Sequence, residues 1–243
     1  MNNYVMVGAG GTGTHLIAPL VAYLTAHHHE GDWLLHVMDG DNVETKNLER
    51  QLFRPADVTN NKALAVVAHY DERHVKAIPQ YLSEENLPRM IQDGDTVLIC
   101  VDNFTVRKRI EDHCRTLNNV TIINGGNEKW SGSVQLWVRA MGEDVTPRIG
   151  YLHPEIALKK GEDRANMTCA QAAALPGGEQ TIIANLQSAT WMLTALWRAH
   201  ALLFIHSVGQ EPSPITWTEL QFDALLGTVD HIDQRMSAHW RTA

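Results

Sequence analysis

The run Tyr4-Val5-Met6-Val7-Gly8-Ala9-Gly10-Gly11-Thr12-Gly13 reads as a strand, a glycine turn and the start of a helix. Residues 4–7 read as a short buried strand that stops abruptly at glycines. From 12 to 26 the spacing becomes helical, with Leu16, Leu20, Tyr23 and Leu24 on one face. Pro19 within that helix removes a hydrogen bond and predicts a kink. Gly8, Gly10 and Gly13 form G-x-G-x-x-G between the strand and the helix, where a tight turn can bring a phosphate against backbone N–H groups. By itself the loop does not choose between NAD, FAD and ATP, and a ligand-free turn can carry the same pattern.

Outward from this loop, strand and helix alternate. Trp33–Met38 reads as a strand closed by Asp39-Gly40-Asp41. A helix over 62–70 follows, with Asn60 or Asn61 as its N-cap. Val75–Ile78 is a short strand, and Ser83 caps a helix running to 92. Residues 96–101 form an apolar strand ending at Asp102, 105–117 a helix, and 120–123 a strand stopped by Asn124-Gly125-Gly126. This alternation predicts an α/β, Rossmann-like, mostly parallel sheet with helices on both faces. The strand at 133–139 has no helix before it, which predicts an antiparallel C-terminal extension. Residues 141–168 read as loop, 179–205 as a long helix and 216–222 as a late strand. The expectation is one domain over 1–243 with a crossover loop at about 141–178.

Composition narrows the function. Of 243 residues 44% are hydrophobic, enough for one full core, and the 28 acidic against 20 basic residues give a net charge of -8. A nucleic-acid surface is therefore not expected. Cys100, Cys114 and Cys169 form no C-x-x-C pair, so neither a four-thiolate zinc site nor a disulfide framework is expected, and a reducing cytoplasm is. No basic leader opens the chain. The apolar stretch 182–206 carries Asn185, Gln187, Arg198 and His200, which makes it a buried or amphipathic helix and not a membrane span.

On the loop and Asp39 alone, an NAD-dependent oxidoreductase is the first expectation, Asp39 reaching a ribose hydroxyl. The next residues redirect it. Asp39-Gly40-Asp41-Asn42-Val43-Glu44-Thr45-Lys46-Asn47-Leu48-Glu49-Arg50-Gln51 resembles the D-x-D-x-V-x-x-x-N-L-x-R-Q signature of the ThiF/MoeB/HesA family, the E1-like adenylyltransferases that activate ubiquitin-like proteins. The resemblance continues at Asp102-Asn103-Phe104-Thr105-Val106-Arg107, similar to the family's D-N-x-x-x-R, and at Thr168-Cys169-Ala170, where many members carry a cysteine.

The resemblance implies ATP- and magnesium-dependent adenylation of the C-terminal carboxylate of a small ubiquitin-like or sulfur-carrier protein by a homodimer. Acyl-adenylate formation brings two anions together and releases pyrophosphate, so fixed positive charge and backbone donors are required. Arg50 offers a bidentate fork and Lys62 a point charge, neither expected to be needed by the fold. Asp102 would ligate magnesium. Asp39 and Asp41 would hold ribose and metal or base. Asn47, Gln51 and Asn103 would orient the nucleotide, and Gly8, Gly10, Gly11 and Gly13 would cradle it. Cys169 is either a nucleophile that accepts the acyl group or a small packing residue.

The family's N-terminal arginine, which reaches the neighbouring subunit's ATP, has no counterpart before the first strand, and the zinc cysteines of several members are absent. A non-catalytic relative that keeps the nucleotide fold as an interaction module is the alternative. Elsewhere, His27-His28-His29 reads as a solvated turn, Arg107-Lys108-Arg109 as a solvated mixed-charge face, Cys100 and Cys114 as bystanders, and Trp191 and Trp197 as core. Trp130 and Trp137 flank the antiparallel turn and read as core before groove.

Overall fold

A computed structural model describes residues 1–154, 180–207 and 217–232. The alternation of short apolar runs and helical segments becomes β1 (Asn2–Val7), α1 (Gly11–His27), β2 (Trp33–Met38), α2 (Lys62–Val67), β3 (Val75–Ile78), α3 (Leu87–Met90), β4 (Thr96–Ile99), α4 (Phe104–Cys114) and β5 (Val120–Asn127). Then come β6 (Ser131–Ala140), β7 (Glu143–Asp144), α5 (Ile149–Leu152), α6 (Ile182–Ser207), β8 (Glu219–Asp223) and β9 (Thr228–Ile232). One sheet takes the order β3-β2-β1-β4-β5-β6-β8-β9, with β7 on β6. The first five strands in that order pair in parallel, while β6, β8 and β9 are antiparallel. The Rossmann-like sheet and its antiparallel extension are as the sequence predicts.

Side-chain alternation along the strands explains why both faces are covered. Tyr4, Met6, Leu98, Ile123 and Leu136 face the layer of α1, α2 and α6. Their neighbours Val5, Val7, Val97, Ile99, Ile122 and Trp137 face that of α3, α4 and α5. Period-two burial on both faces is the mark of a doubly covered sheet.

Several local expectations are corrected. β5 does not stop at Asn124 but continues through Gly125 and Gly126 to Asn127, paired with β6. Those glycines are there for close approach: a Cβ on Gly125 would sit 2.3 Å from Met192 Sδ, and one on Gly126 would sit 3.0 Å from the Arg107 guanidinium. α3 is four residues long, because Ser83 and Asn86 close a turn on each other and Pro88 stands at the helix start. α2 and α4 also end earlier than predicted, at Val67 and Cys114. The supposed loop from 141 holds β7 and α5. The hairpin strand β9 carries no apolar alternation strong enough to be read in advance. α1 runs through Pro19 as one helix, with that residue on its exposed side. Trp197 is 55% exposed and is not core, whereas Trp137 is fully buried.

The histidine run is also more than a solvated turn. The Tyr4 hydroxyl lies 2.8 Å from His28 Nε2 and 3.2 Å from His200 Nε2, and the Tyr23 hydroxyl lies 2.8 Å from His200 Nδ1. This network ties α6 to α1 and β1. Burial first, then the neighbouring His28 and His27, push His200 down to about 4 from its ordinary 6.5. The folded state therefore binds fewer protons than the unfolded one, so this stability is present above about pH 6.5 and is lost as pH falls towards 4. We predict that the melting temperature falls between pH 7 and pH 5, and falls less steeply in His200→Gln. Parallel thermal scans of the two proteins across that range check this.

Candidate functional site

Strand order reverses direction between β1 and β4, which leaves a crevice beyond their carboxyl ends. A cavity of about 260 Å³ occupies it. Its lining includes Gly8, Gly10, Gly11, Asp39, Asp41, Asn47, Arg50, Gln51, Lys62, Asp102 and Asn103. Residues spread over some ninety positions of sequence thus meet in one place, because every segment that carries them leaves the sheet on the same edge.

The glycine loop forms the floor. Gly8 has φ +101°, and a Cβ there would lie 2.9 Å from the Cys100 carbonyl. Gly13 does not line the cavity; a Cβ on it would be 2.2 Å from the Gly8 carbonyl oxygen, so its part is to let the helix close against the strand. Gly10 differs, since the nearest atom to a Cβ would be Gln51 Nε2 at 3.9 Å. The protein itself tolerates a side chain there, and the space opens into the cavity. Gly10 stands at the N-cap of α1, and no side chain caps the first turn. The positive end of the helix dipole therefore faces the cavity.

Asp39 braces this loop to β2. Its Oδ2 accepts the Ala9 N–H at 2.7 Å and its Oδ1 accepts the Asp41 N–H at 2.8 Å. Burial raises its carboxyl above the usual range, against the opposing pull of Lys62 and the two backbone donors. Asp41 is the partner of the buried cation: Lys62 Nζ donates to its Oδ2 at 3.0 Å, and the Tyr81 hydroxyl donates to its Oδ1. Burial works to raise the Asp41 carboxyl, but Lys62 and Tyr81 together outweigh it and hold it below the usual range. Lys62 is delivered by α2, whose N-cap Asn61 accepts the Leu64 N–H and donates to the carbonyls of Asp39 and Asp41.

The opposite wall comes from a 3-10 turn at Thr45–Glu49. Buried Asn47 folds that turn on itself, its Oδ1 accepting the Glu44 N–H at 2.9 Å. Arg50 then emerges half-buried, its Nη1 donating to Gln180 Oε1 at 3.3 Å. Among the described residues the buried Gln51 Oε1 has no hydrogen-bond partner, an orphan acceptor beside the loop. The third wall is the end of β4. Asp102 is exposed at the mouth, and Asn103 caps α4 by accepting the N–H groups of Thr105 and Val106.

Arg107 corrects the solvated-face expectation. It is buried, donates to the carbonyls of Val101 and Gly125, and locks the ends of β4 and β5 together. Burial pulls its guanidinium down to about 10, against the opposing influence of Asp102. Glu111 on the same helix is buried too and accepts the Gly150 N–H. Cys100 is not a bystander by position, since it lines the cavity, but burial pushes its thiol up to about 12 and leaves it inert as a nucleophile. Cys169 lies outside the described residues. The sequence alone missed Tyr81, Asn127 and Gln180, because single polar residues outside a motif carry no signal until the fold brings them to the cavity.

A model of the ThiF family matches residues 2–238. The chain belongs to the ThiF family. It is 32% identical to the SAMP-activating enzyme E1 of Haloferax volcanii over 133 residues, 53% of this chain and 46% of that protein. It is 31% identical to the sulfur carrier protein adenylyltransferase of Thermus thermophilus over 138 residues, 55% of this chain and 48% of that protein. The matched stretches thus span less than half the length of these relatives. Among solved structures, E. coli MccB with ATP aligns over 96% of this ThiF chain and 64% of its own, with a TM-score of 0.63 and 17% identity. PaaA aligns equally well, at TM-score 0.63 and 17% identity over 96% and 64% of the two chains. At that identity the likeness is one of fold.

Proposed function

We propose that this ThiF-family chain adenylates the C-terminal carboxylate of a small ubiquitin-like or sulfur-carrier protein at the expense of ATP. The observation that carries the reading is the convergence of Arg50, Lys62 and Asp102 on the cavity that the uncapped start of α1 also faces. Two cations, a helix N-terminus and one exposed carboxylate make a triphosphate site. A dinucleotide needs no such cluster.

In this reading a carboxylate oxygen of the carrier attacks the α-phosphorus of ATP, and the bond to the bridging oxygen breaks. Carrier-CO-O-AMP and pyrophosphate result. The first-turn N–H groups of α1 hold phosphate oxygens where Gly10 leaves room. Arg50 takes two phosphate oxygens in its planar fork. Lys62 exchanges its Asp41 contact, wholly or in part, for phosphate as negative charge gathers on the leaving group. Asp39 has lone pairs left for a ribose hydroxyl, and the orphan Gln51 Oε1 can accept from a donor on the nucleotide.

The donor set also fits magnesium. Among the described residues no cluster of three or more ligating side chains exists, and Mg²⁺ characteristically takes one or two carboxylates with phosphate and water. Asp102 would hold it, and its chemistry there would be neutralisation of the phosphates. No zinc role enters the reading.

The same reading takes the chain as a single domain acting as a cytoplasmic homodimer, without nucleic acid or membrane as partner. The net charge of -8 weighs against a nucleic-acid surface, and no described helix is long and apolar enough to cross a membrane. Transfer of the acyl group to Cys169 would be a later step. Calorimetric titration with ATP and with NAD, magnesium present, tests the site. ATP is expected to bind and NAD not; NAD binding without ATP binding would overturn the reading in favour of an oxidoreductase.

A further inference from the structure

Arg50 leaves its own turn with its side chain free of it, yet its backbone and its guanidinium are both held, from α6 and from Gln180 two residues before that helix. Asn185, fully buried on the first turn of α6, donates from Nδ2 to the Arg50 carbonyl at 3.3 Å. The same carbonyl lies 3.4 Å from His15 Nε2 on α1. Asn185 Oδ1 accepts from Asn127 Nδ2 at 2.7 Å, and Asn127 Oδ1 accepts from the Thr12 hydroxyl at 3.1 Å. Gln180 completes the circuit: its Oε1 accepts from the Arg50 guanidinium at 3.3 Å and its Nε2 donates to the Asn127 carbonyl at 3.4 Å.

The fit at Asn185 is close. A Cβ on Gly11 would lie 2.5 Å from its Nδ2, so the third glycine of the loop is small to admit this amide. Asn185 thus touches the glycine loop, the end of β5 and the residue that carries the cation. A buried amide with both ends engaged fixes the parts it joins, because freeing either end would leave a polar group unpaired.

We propose that Asn185 and Gln180 are positioning residues that set the Arg50 guanidinium on the nucleotide's phosphates, Asn185 through the Arg50 backbone and Gln180 through its side chain. The inference rests on the nucleotide reading above. Asn185 stands behind the cavity wall and Gln180 on it; in this account each acts on the phosphates through Arg50.

The test is calorimetric binding of ATP and of adenosine to the full chain, for wild type, Asn185→Ala, Asn185→Asp and Gln180→Ala, each with and without Arg50→Ala. Asn185→Asp keeps the shape and the acceptor for Asn127 but removes the donor to Arg50. Gln180→Ala lies at a half-buried position and keeps the test decisive should the Asn185 variants fail to fold. Each single variant is expected to weaken ATP binding on the order of tenfold, the share of a charge-assisted hydrogen bond. Adenosine binding should be unchanged, and the effect should vanish in the Arg50→Ala background. Equal losses for ATP and adenosine, or losses that persist without Arg50, would show a merely structural role and overturn the inference. A wild type that binds no ATP would instead sink the nucleotide reading on which it rests.

Discussion

Arg50→Ala is expected to lower carrier-dependent exchange of labelled pyrophosphate into ATP on the order of 10²–10³-fold, the cost of removing one preorganised charge from a developing anion. Its stability should barely move, because the half-buried guanidinium has Gln180 as its side-chain partner. Lys62→Ala should lose as much exchange, but it will not be neutral to the fold. The Lys62 side chain is only 6% exposed and its Nζ sits 3.0 Å from Asp41, so its removal leaves that carboxylate without its cation, a pairing no motif announces. The expected signature is a lower melting temperature in Lys62→Ala that Asp41→Asn largely restores, with exchange still absent in the double variant. Exchange assays and thermal scans on the same four proteins check both halves. Unchanged exchange in Arg50→Ala and Lys62→Ala would mean that the site is misplaced.

Trp137→Ala is the second large effect. The indole is fully buried in the layer beneath α4 and α5, and its Nε1 donates to Asp144 Oδ1 at 3.0 Å. Deleting a buried tryptophan costs about 3–5 kcal/mol, which for a domain of this size corresponds to a drop in melting temperature of roughly 6–20 °C. Denaturant unfolding should show the midpoint falling with little change in slope. A loss below about 1 kcal/mol would mean that this face of the sheet is not packed as described.

The parallel half of the fold is legible because each strand is a short apolar run bounded by Gly, Asp or Asn, and each helix follows at once. The signature residues that meet at the cavity are legible for a related reason: Gly8, Asp39, Asp41, Asp102 and Asn103 follow strand ends, which share one edge in such a sheet, while Asn47, Arg50, Gln51 and Lys62 come from the turn and helix that β2 leads into. What stays hidden is set by tertiary contact. Gly125 and Gly126 look like a stop signal, yet they continue β5 because Met192 and Arg107 occupy the space their side chains would fill. Arg107 looks solvated beside Lys108 and Arg109, yet helical spacing turns it inward to the carbonyls of Val101 and Gly125. Trp197 looks like core beside Trp191, yet it falls on the outer side of α6. Asn185 and Gln180 carry no local signal at all; their meaning lies in contacts with Arg50, more than a hundred residues earlier.

This cavity, in the proposed function, joins a carboxylate to AMP. The most direct measurement is exchange of labelled pyrophosphate into ATP by the wild-type chain with magnesium and a β-grasp carrier protein ending in Gly-Gly, drawn from a neighbouring reading frame. The carrier is supplied once with a free C-terminus and once amidated. Exchange is expected with the free carboxylate and none with the amide or without carrier. Exchange indifferent to amidation, or ATP binding with no exchange in any arm, would contradict it and leave the chain as a nucleotide-binding interaction module.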